Sequence, residues 1–314
     1  MMMRSRATAG LCALALLFSA LVANAQNNYN YGKHIEVAYE GWEQMPDGTY
    51  DLYFGYHNEN WEEMPNIPVG ENNFFSPGVE DRGQPTFFQP RRNRFVFTVN
   101  VPADFGDKEL VWTLTSPNGE TRKAYATLIP DFVVNKDLIQ AETGAFGGAA
   151  GSEDGHLNQH PTLNVLEGNT RYAQVGESIT LVAKVEDDGY PQTRRGPKER
   201  SPKSEWERIT RAPMISTVNK VNGLHMSWIV YRSAEGVDGK NVRFSPDQIK
   251  VWEDTRPSNN SPWSYYWVPP AVPEDGIYET EVMFSEPGTY VLMGRADDGG
   301  LYDDQFVTVE VSGS

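Results

Sequence analysis

The sequence predicts an all-β protein of two antiparallel β-sandwich domains. Three observations carry this. Apolar side chains alternate with period two in both halves of the chain. No long segment spaces them for a helix. Turn signals rich in Pro, Asn, Asp and Gly separate the alternating runs. A length of 314 residues suits about two domains.

Residues 1–25 read as a secretory signal peptide. Arg4 and Arg6 precede the apolar run Leu11–Val22, and Ala23-Asn24-Ala25 forms a small-residue cleavage site before Gln26. The run is too short and wrongly flanked for a membrane anchor, and no other stretch approaches spanning length. Export implies a secreted or periplasmic location. The single cysteine, Cys12, lies inside this segment, far from the cleavage point and poorly placed for lipid attachment. The mature chain therefore has no disulfide, and apolar cores must hold its domains. Cleavage removes two basic residues and no acid, deepening a net charge of −16. Such a surface repels nucleic acid and anionic membranes and welcomes cations.

Residues 26–135 form the first expected sandwich. Tyr50, Leu52, Phe54 and Tyr56 point one way, as do Phe95, Phe97, Val99 and Val101, and Leu110, Trp112 and Leu114. Turns fall at Pro46-Asp47-Gly48, Pro77-Gly78 and Pro117-Asn118-Gly119. Each sheet is expected to bury one face. Residues 136–160 read as a Gly-rich linker, with one or two helical turns at Asp137–Thr143 and a Gly/Ala run over Gly144–Gly155. Alternation resumes over 161–314: Ile179, Leu181, Ala183 and Val185; Met226, Trp228 and Val230; Tyr278, Thr280, Val282 and Phe284; Val307, Val309 and Val311.

Two groups of residues carry resemblances. Phe284-Ser-Glu-Pro-Gly-Thr-Tyr-Val-Leu292, Ala296-Asp-Asp-Gly-Gly300 and Phe306–Val311 resemble the end of a PKD/immunoglobulin-like domain. Ser178–Gly189 resembles its early strand B and Met226-Ser-Trp228 its strand C. The resemblance implies that Trp228 is the core tryptophan, that Tyr290 is a corner tyrosine, and that Leu292 stands where disulfide-bonded members carry cysteine. A long insertion at about 191–223, between strands B and C, departs from that pattern. In the first half, Phe54-Gly-Tyr56, Asn58, Asn60, Ile67-Pro-Val-Gly70, Asn73, Phe75, Pro77-Gly78, Asp81-Arg-Gly-Gln-Pro-Thr86 and Phe88 resemble an uncharacterised β-rich module of exported bacterial proteins. That likeness implies an envelope or extracellular setting and no chemistry.

Catalytic motifs are absent from the sequence: no G-x-S-x-G, no H-E-x-x-H, no phosphate loop and no thiol in the mature chain. His156 and His160 have a metal-binding spacing only on a helix, and Pro161 argues against one there. Acids are too abundant for any glycosidase pair to stand out. Arg194, Arg195, Lys198, Arg200, Lys203, Arg208 and Arg211 crowd the insertion, but Trp206 is the only aromatic among them, so the run reads as a solvated loop.

Two candidate sites remain. Trp263, Tyr265, Tyr266 and Trp267 lie in a turn-rich stretch. They would stack a sugar or anchor a protein, or else fold back and cap the sandwich. Asp187, Asp188, Asp297 and Asp298 end strands B and F, which run the same way, and Asp303 opens strand G at that pole. These acids would bind calcium, would be neutralised by Arg194, Arg195, Lys198 and Arg200, or would simply make Asp-Gly turns. The expected function is an exported, non-catalytic binding or structural module of the envelope or extracellular matrix, with a polysaccharide or cell-surface protein as partner. The alternative is a carbohydrate-active or metal-assisted hydrolase.

Overall fold

The structure is a computed structural model that describes residues 30–143, 152–192, 223–233, 239–248, 250 and 272–313. The expected signal peptide, the Gly/Ala run from 144 to 151, the basic stretch from 193 to 222 and the aromatic stretch Trp263–Trp267 lie outside the described residues.

The first sandwich is made of β1 (Ile35–Gln44), β2 (Tyr50–Asn58), β3 (Asn73–Ser76), β4 (Arg91–Val101), β5 (Leu110–Thr115) and β6 (Thr121–Ala126). Its sheets are β1-β2-β4 and β3-β5-β6, antiparallel throughout. In immunoglobulin lettering these are A-B-E and C-F-G, so this half shares the Greek-key order of the second. The alternation in β2, β4 and β5 fills the core: Leu52, Phe54 and Tyr56 meet Phe97, Val99, Val101, Leu110, Trp112 and Leu114. Phe54 stacks on Phe97 at 5.4 Å between centroids and meets Trp112 edge-on at 6.2 Å.

Phe95 departs from the expected face. The β2–β4 register shifts between Phe54↔Phe97 and Tyr56↔Asn93, so β4 bulges opposite Gly55. Phe95 takes φ of 49° and turns outward, while Val96 enters the core. Gly55 is required there, because a Cβ would lie 2.5 Å from the Asn93 carbonyl oxygen and would clash with the Glu40 carboxylate.

The second sandwich is made of β7 (Thr162–Val165), β8 (Thr170–Gln174), β9 (Ser178–Glu186), β10 (His225–Ser233), β11 (Val242–Ser245), β12 (Ile277–Phe284), β13 (Gly288–Asp297) and β14 (Tyr302–Ser312). The sheets are β7-β9-β12-β11 and β8-β14-β13-β10, which are A-B-E-D and A′-G-F-C. The sheets are antiparallel as expected, except that β8 crosses to the second sheet and pairs parallel with β14. Trp228 on β10 and Leu292 on β13 are fully buried in this core. The Tyr290 hydroxyl donates to the Glu286 carbonyl at 2.9 Å, the backward bond of a corner tyrosine.

One-sided burial does not hold for β10 and β13. Ile229, Tyr231 and Met293 point away from their own sandwich and join the core of the first. Hydrogen bonds close the seam. Thr86 and Phe87 N–H groups donate to the Tyr231 carbonyl, Tyr231 Oη donates to the Gly83 carbonyl at 2.5 Å, and Arg232 Nε donates to the Gln84 carbonyl at 2.8 Å. The loop of the first sandwich thus covers the free edge of β10, a position that would otherwise invite strand pairing.

Within the segment expected as linker, helices α1 (Lys136–Thr143) and α2 (Glu153–Leu157) form. Ile139 of α1 packs with Phe95, Val134 and Leu301. Gln140 donates to the Gly155 carbonyl and accepts from Asn158, and Thr143 donates to the Gly300 carbonyl. Both helix-bearing ends are therefore fastened to the sandwiches.

Candidate functional site

Strands β9 and β13 run the same way and end at one pole of the second sandwich. There the sequence-predicted acids divide into two groups. Asp188 and Asp303 fasten the chain. Asp188 Oδ2 accepts from Gln159 N at 2.9 Å and its Oδ1 from Tyr190 N at 2.8 Å. Asp303 Oδ2 accepts from Leu163 N at 2.8 Å, tying the start of β7 to β14. These two carboxylates close turns and strand ends, the bland alternative for Asp at such positions.

Asp187, Asp297 and Asp298 behave differently. Asp297 is buried and its Oδ1 accepts from Gly299 N at 2.8 Å. Asp298 is fully buried, and its Oδ1 accepts from Gly300 N at 2.6 Å and Leu301 N at 2.7 Å. Its Oδ2 is sealed from solvent and has no partner. Asp187 repeats the arrangement: one oxygen accepts from Gly189 N at 2.9 Å, and Oδ1 is buried and unpartnered. Burial pushes the Asp298 carboxyl up to about 7, reinforced by the charge of Asp297 and, more weakly, of Asp187. Burial likewise lifts Asp187 to about 6, with Asp188 adding to it.

A cavity of about 560 Å³ opens beside Asp187. Glu186, Gly189, Gly223, Glu274 and Asp275 are among its other walls. Glu274 and Asp275 were not singled out in the sequence; the only signal for them is an acidic pair in a Pro-Glu-Asp-Gly turn just before β12. The nearest lysine on the cavity wall, Lys184, is bonded to Glu186 at 2.6 Å. Among the described residues, no three or more His, Cys, Asp or Glu side chains gather closely enough to hold a metal ion. Of the five acids grouped from the sequence, Asp187 and Asp298 are the ones left with a buried oxygen that has no partner among the described residues. His156 and His160 are likewise separate: His160 Nδ1 bonds the Tyr302 carbonyl, and α2 ends at Leu157, between the two histidines.

A second buried charge lies at the seam and was not read from sequence. Arg295, 1 % exposed, holds Asp304 through Nε–Oδ1 at 2.7 Å and Nη2–Oδ2 at 2.6 Å. Nη2 also donates to the Phe95 carbonyl of the first sandwich at 2.9 Å, and the guanidinium lies 4.0 Å from the Tyr302 ring centroid. Burial pushes the Asp304 carboxyl up, opposed by Arg295. Glu40 is raised by burial in the same way and is held by Arg92 through both oxygens, at 2.7 and 2.9 Å.

Strand order and the corner tyrosine give the second sandwich an immunoglobulin-like, PKD-resembling β-sandwich fold. Several solved structures are similar to this chain. They include domains 4 and 5 of the S-layer protein SbsC, at 8% identity and TM-score 0.23, covering 64% of each chain. They include the PKD domain of human KIAA0319, at 13% identity and TM-score 0.24, covering 53% of this chain and 94% of that one. They also include the fibronectin(III)-like modules of Clostridium thermocellum CbhA, at 10% identity and TM-score 0.22, covering 89% and 95%. Likeness of this degree concerns the β-sandwich alone. No family profile matches the sequence, and no curated protein matches it. Among the described residues, no helix is long and apolar enough to cross a membrane.

Proposed function

We propose that this chain is an exported, non-catalytic binding or structural module of the cell envelope or extracellular matrix. The observation that carries the reading is the seam: two immunoglobulin-type sandwiches share one apolar core through Ile229, Tyr231 and Met293. Such a seam sets the relative orientation of the two halves, as a spacer or presenting scaffold requires. Two of the four raised carboxyls, Glu40 and Asp304, fit the same reading. Glu40 and Asp304 are each locked in an arginine pair, which leaves neither free to relay a proton. The residues proposed to meet a polysaccharide or cell-surface protein are Trp263, Tyr265, Tyr266 and Trp267.

The test is a co-sedimentation assay with isolated cell-wall polysaccharide and with intact cells. The exported protein should begin at or near Gln26, read by mass spectrometry. It should sediment with one of the two fractions, and Trp263→Ala with Trp267→Ala should weaken that at least tenfold. Equal binding by the double variant removes the aromatic stretch from the reading. Turnover of a glycan, peptide or ester that disappears on changing one acid or histidine refutes the non-catalytic assignment.

A further inference from the structure

We propose that Asp187 and Asp298 hold a divalent cation of the calcium class where the end of β9 meets the β13–β14 turn. The inference stands independently of the binding-module reading.

Two carboxylates far apart in sequence are brought to one pole, and each is built the same way. One oxygen closes an Asp-Gly turn through backbone N–H groups. The other oxygen is sealed from water and has no donor. A buried acceptor left unmatched is costly, and a buried anionic one more so. Asp298 is fully buried, so solvent cannot meet that need. No ion pair within reach of the described residues meets it either: Lys184 is committed to Glu186 and Arg295 to Asp304.

The cavity lies beside Asp187, and Glu186, Glu274 and Asp275 on its walls give that side of the pole a negative field. Every donor on offer is oxygen, which selects a hard cation. Calcium accepts irregular coordination completed by water and main-chain carbonyls, whereas magnesium demands a near-ideal octahedron. Two carboxylates without a third side chain place affinity in the weak extracellular range, roughly 10⁻⁴–10⁻³ M.

The experiment uses the mature protein stripped with EDTA and melted at pH 7.5 in NaCl, MgCl₂ or CaCl₂ at matched ionic strength. With a Kd of about 0.5 mM, 10 mM calcium favours the folded state roughly 20-fold, and the melting temperature rises accordingly. Magnesium should do much less. Asp187→Asn and Asp298→Asn keep an acceptor for the turn N–H groups, so both variants should fold. Each should lose the calcium shift, and titration calorimetry should lose the binding isotherm. No calcium response in the wild type overturns the proposal, as does a response that both variants retain. A melt that responds to pH and not to calcium also overturns it, showing that the two carboxyls meet their need with a proton.

Discussion

Replacing Arg295 by methionine tests whether the seam is a joint of the fold or a casual contact. The guanidinium is 1 % exposed and makes two bonds to Asp304, one to the Phe95 carbonyl, and a face contact with Tyr302. Methionine keeps the bulk and removes all three polar bonds. Asp304 is then a buried carboxylate with no counter-charge, and breaking such a pair costs about 3–5 kcal/mol. In urea monitored by tryptophan fluorescence at pH 7.5, the midpoint should fall by about 1–2 M. Asp304 already has its carboxyl raised by burial, and Arg295 is the charge that opposes this. Without it the folded state takes up a proton that the unfolded state does not, so the deficit should shrink as pH falls toward 5. Arg295→Met with Asp304→Leu removes both charges and should regain most of the loss. The Phe95 carbonyl, left without its donor, accounts for a residue of about 1–3 kcal/mol. A single variant within about 1 kcal/mol of wild type, or a double variant no better than the single, would refute this account of the seam.

Two further outcomes are expected. Trp228→Ala should cost about 3–5 kcal/mol in the same urea assay, because the side chain is fully buried in the second core. An unchanged midpoint would show that the β10 packing is not as described. Asp298 titrates at about 7 against an ordinary 3.8, so the folded state binds the extra proton in between and its stability falls as pH rises through that window. Asp298→Asn, in calcium-free buffer, should gain up to about 4 kcal/mol relative to wild type at pH 8 and nothing at pH 3.5. A pH-independent difference between the two proteins would contradict the assignment.

What the sequence revealed and what it hid follow from range. Alternation is a local property, so β2, β9, β12 and β14 were legible, and the pole that holds Asp187 and Asp298 followed from strand direction. Tyr290 and Trp228 fell in the places the immunoglobulin-like resemblance implied. Phe95 misled because a bulge reverses the facing of every residue before it, and the bulge is set by Gly55 across the sheet. Trp228-Ile229-Val230-Tyr231 did carry a signal. Its unbroken apolar run marks a strand covered on both faces, but the partner lies more than a hundred residues away. Asp188 and Asp303 looked equivalent to Asp187 and Asp298. Only the positions of the Gln159 and Leu163 N–H groups distinguish them.

The shared core also sets an order of events in synthesis. The strands of the first sandwich are all made by Ala126, yet its core lacks Ile229 and Tyr231 for about 100 more residues and Met293 for about 170. At translation rates of about 5–20 residues per second, the last of these arrives after roughly 8–35 s, with part of an apolar face uncovered until then. The N-terminal half is thus a nascent chain with one wall missing, finished only once β10 and then β13 have been made.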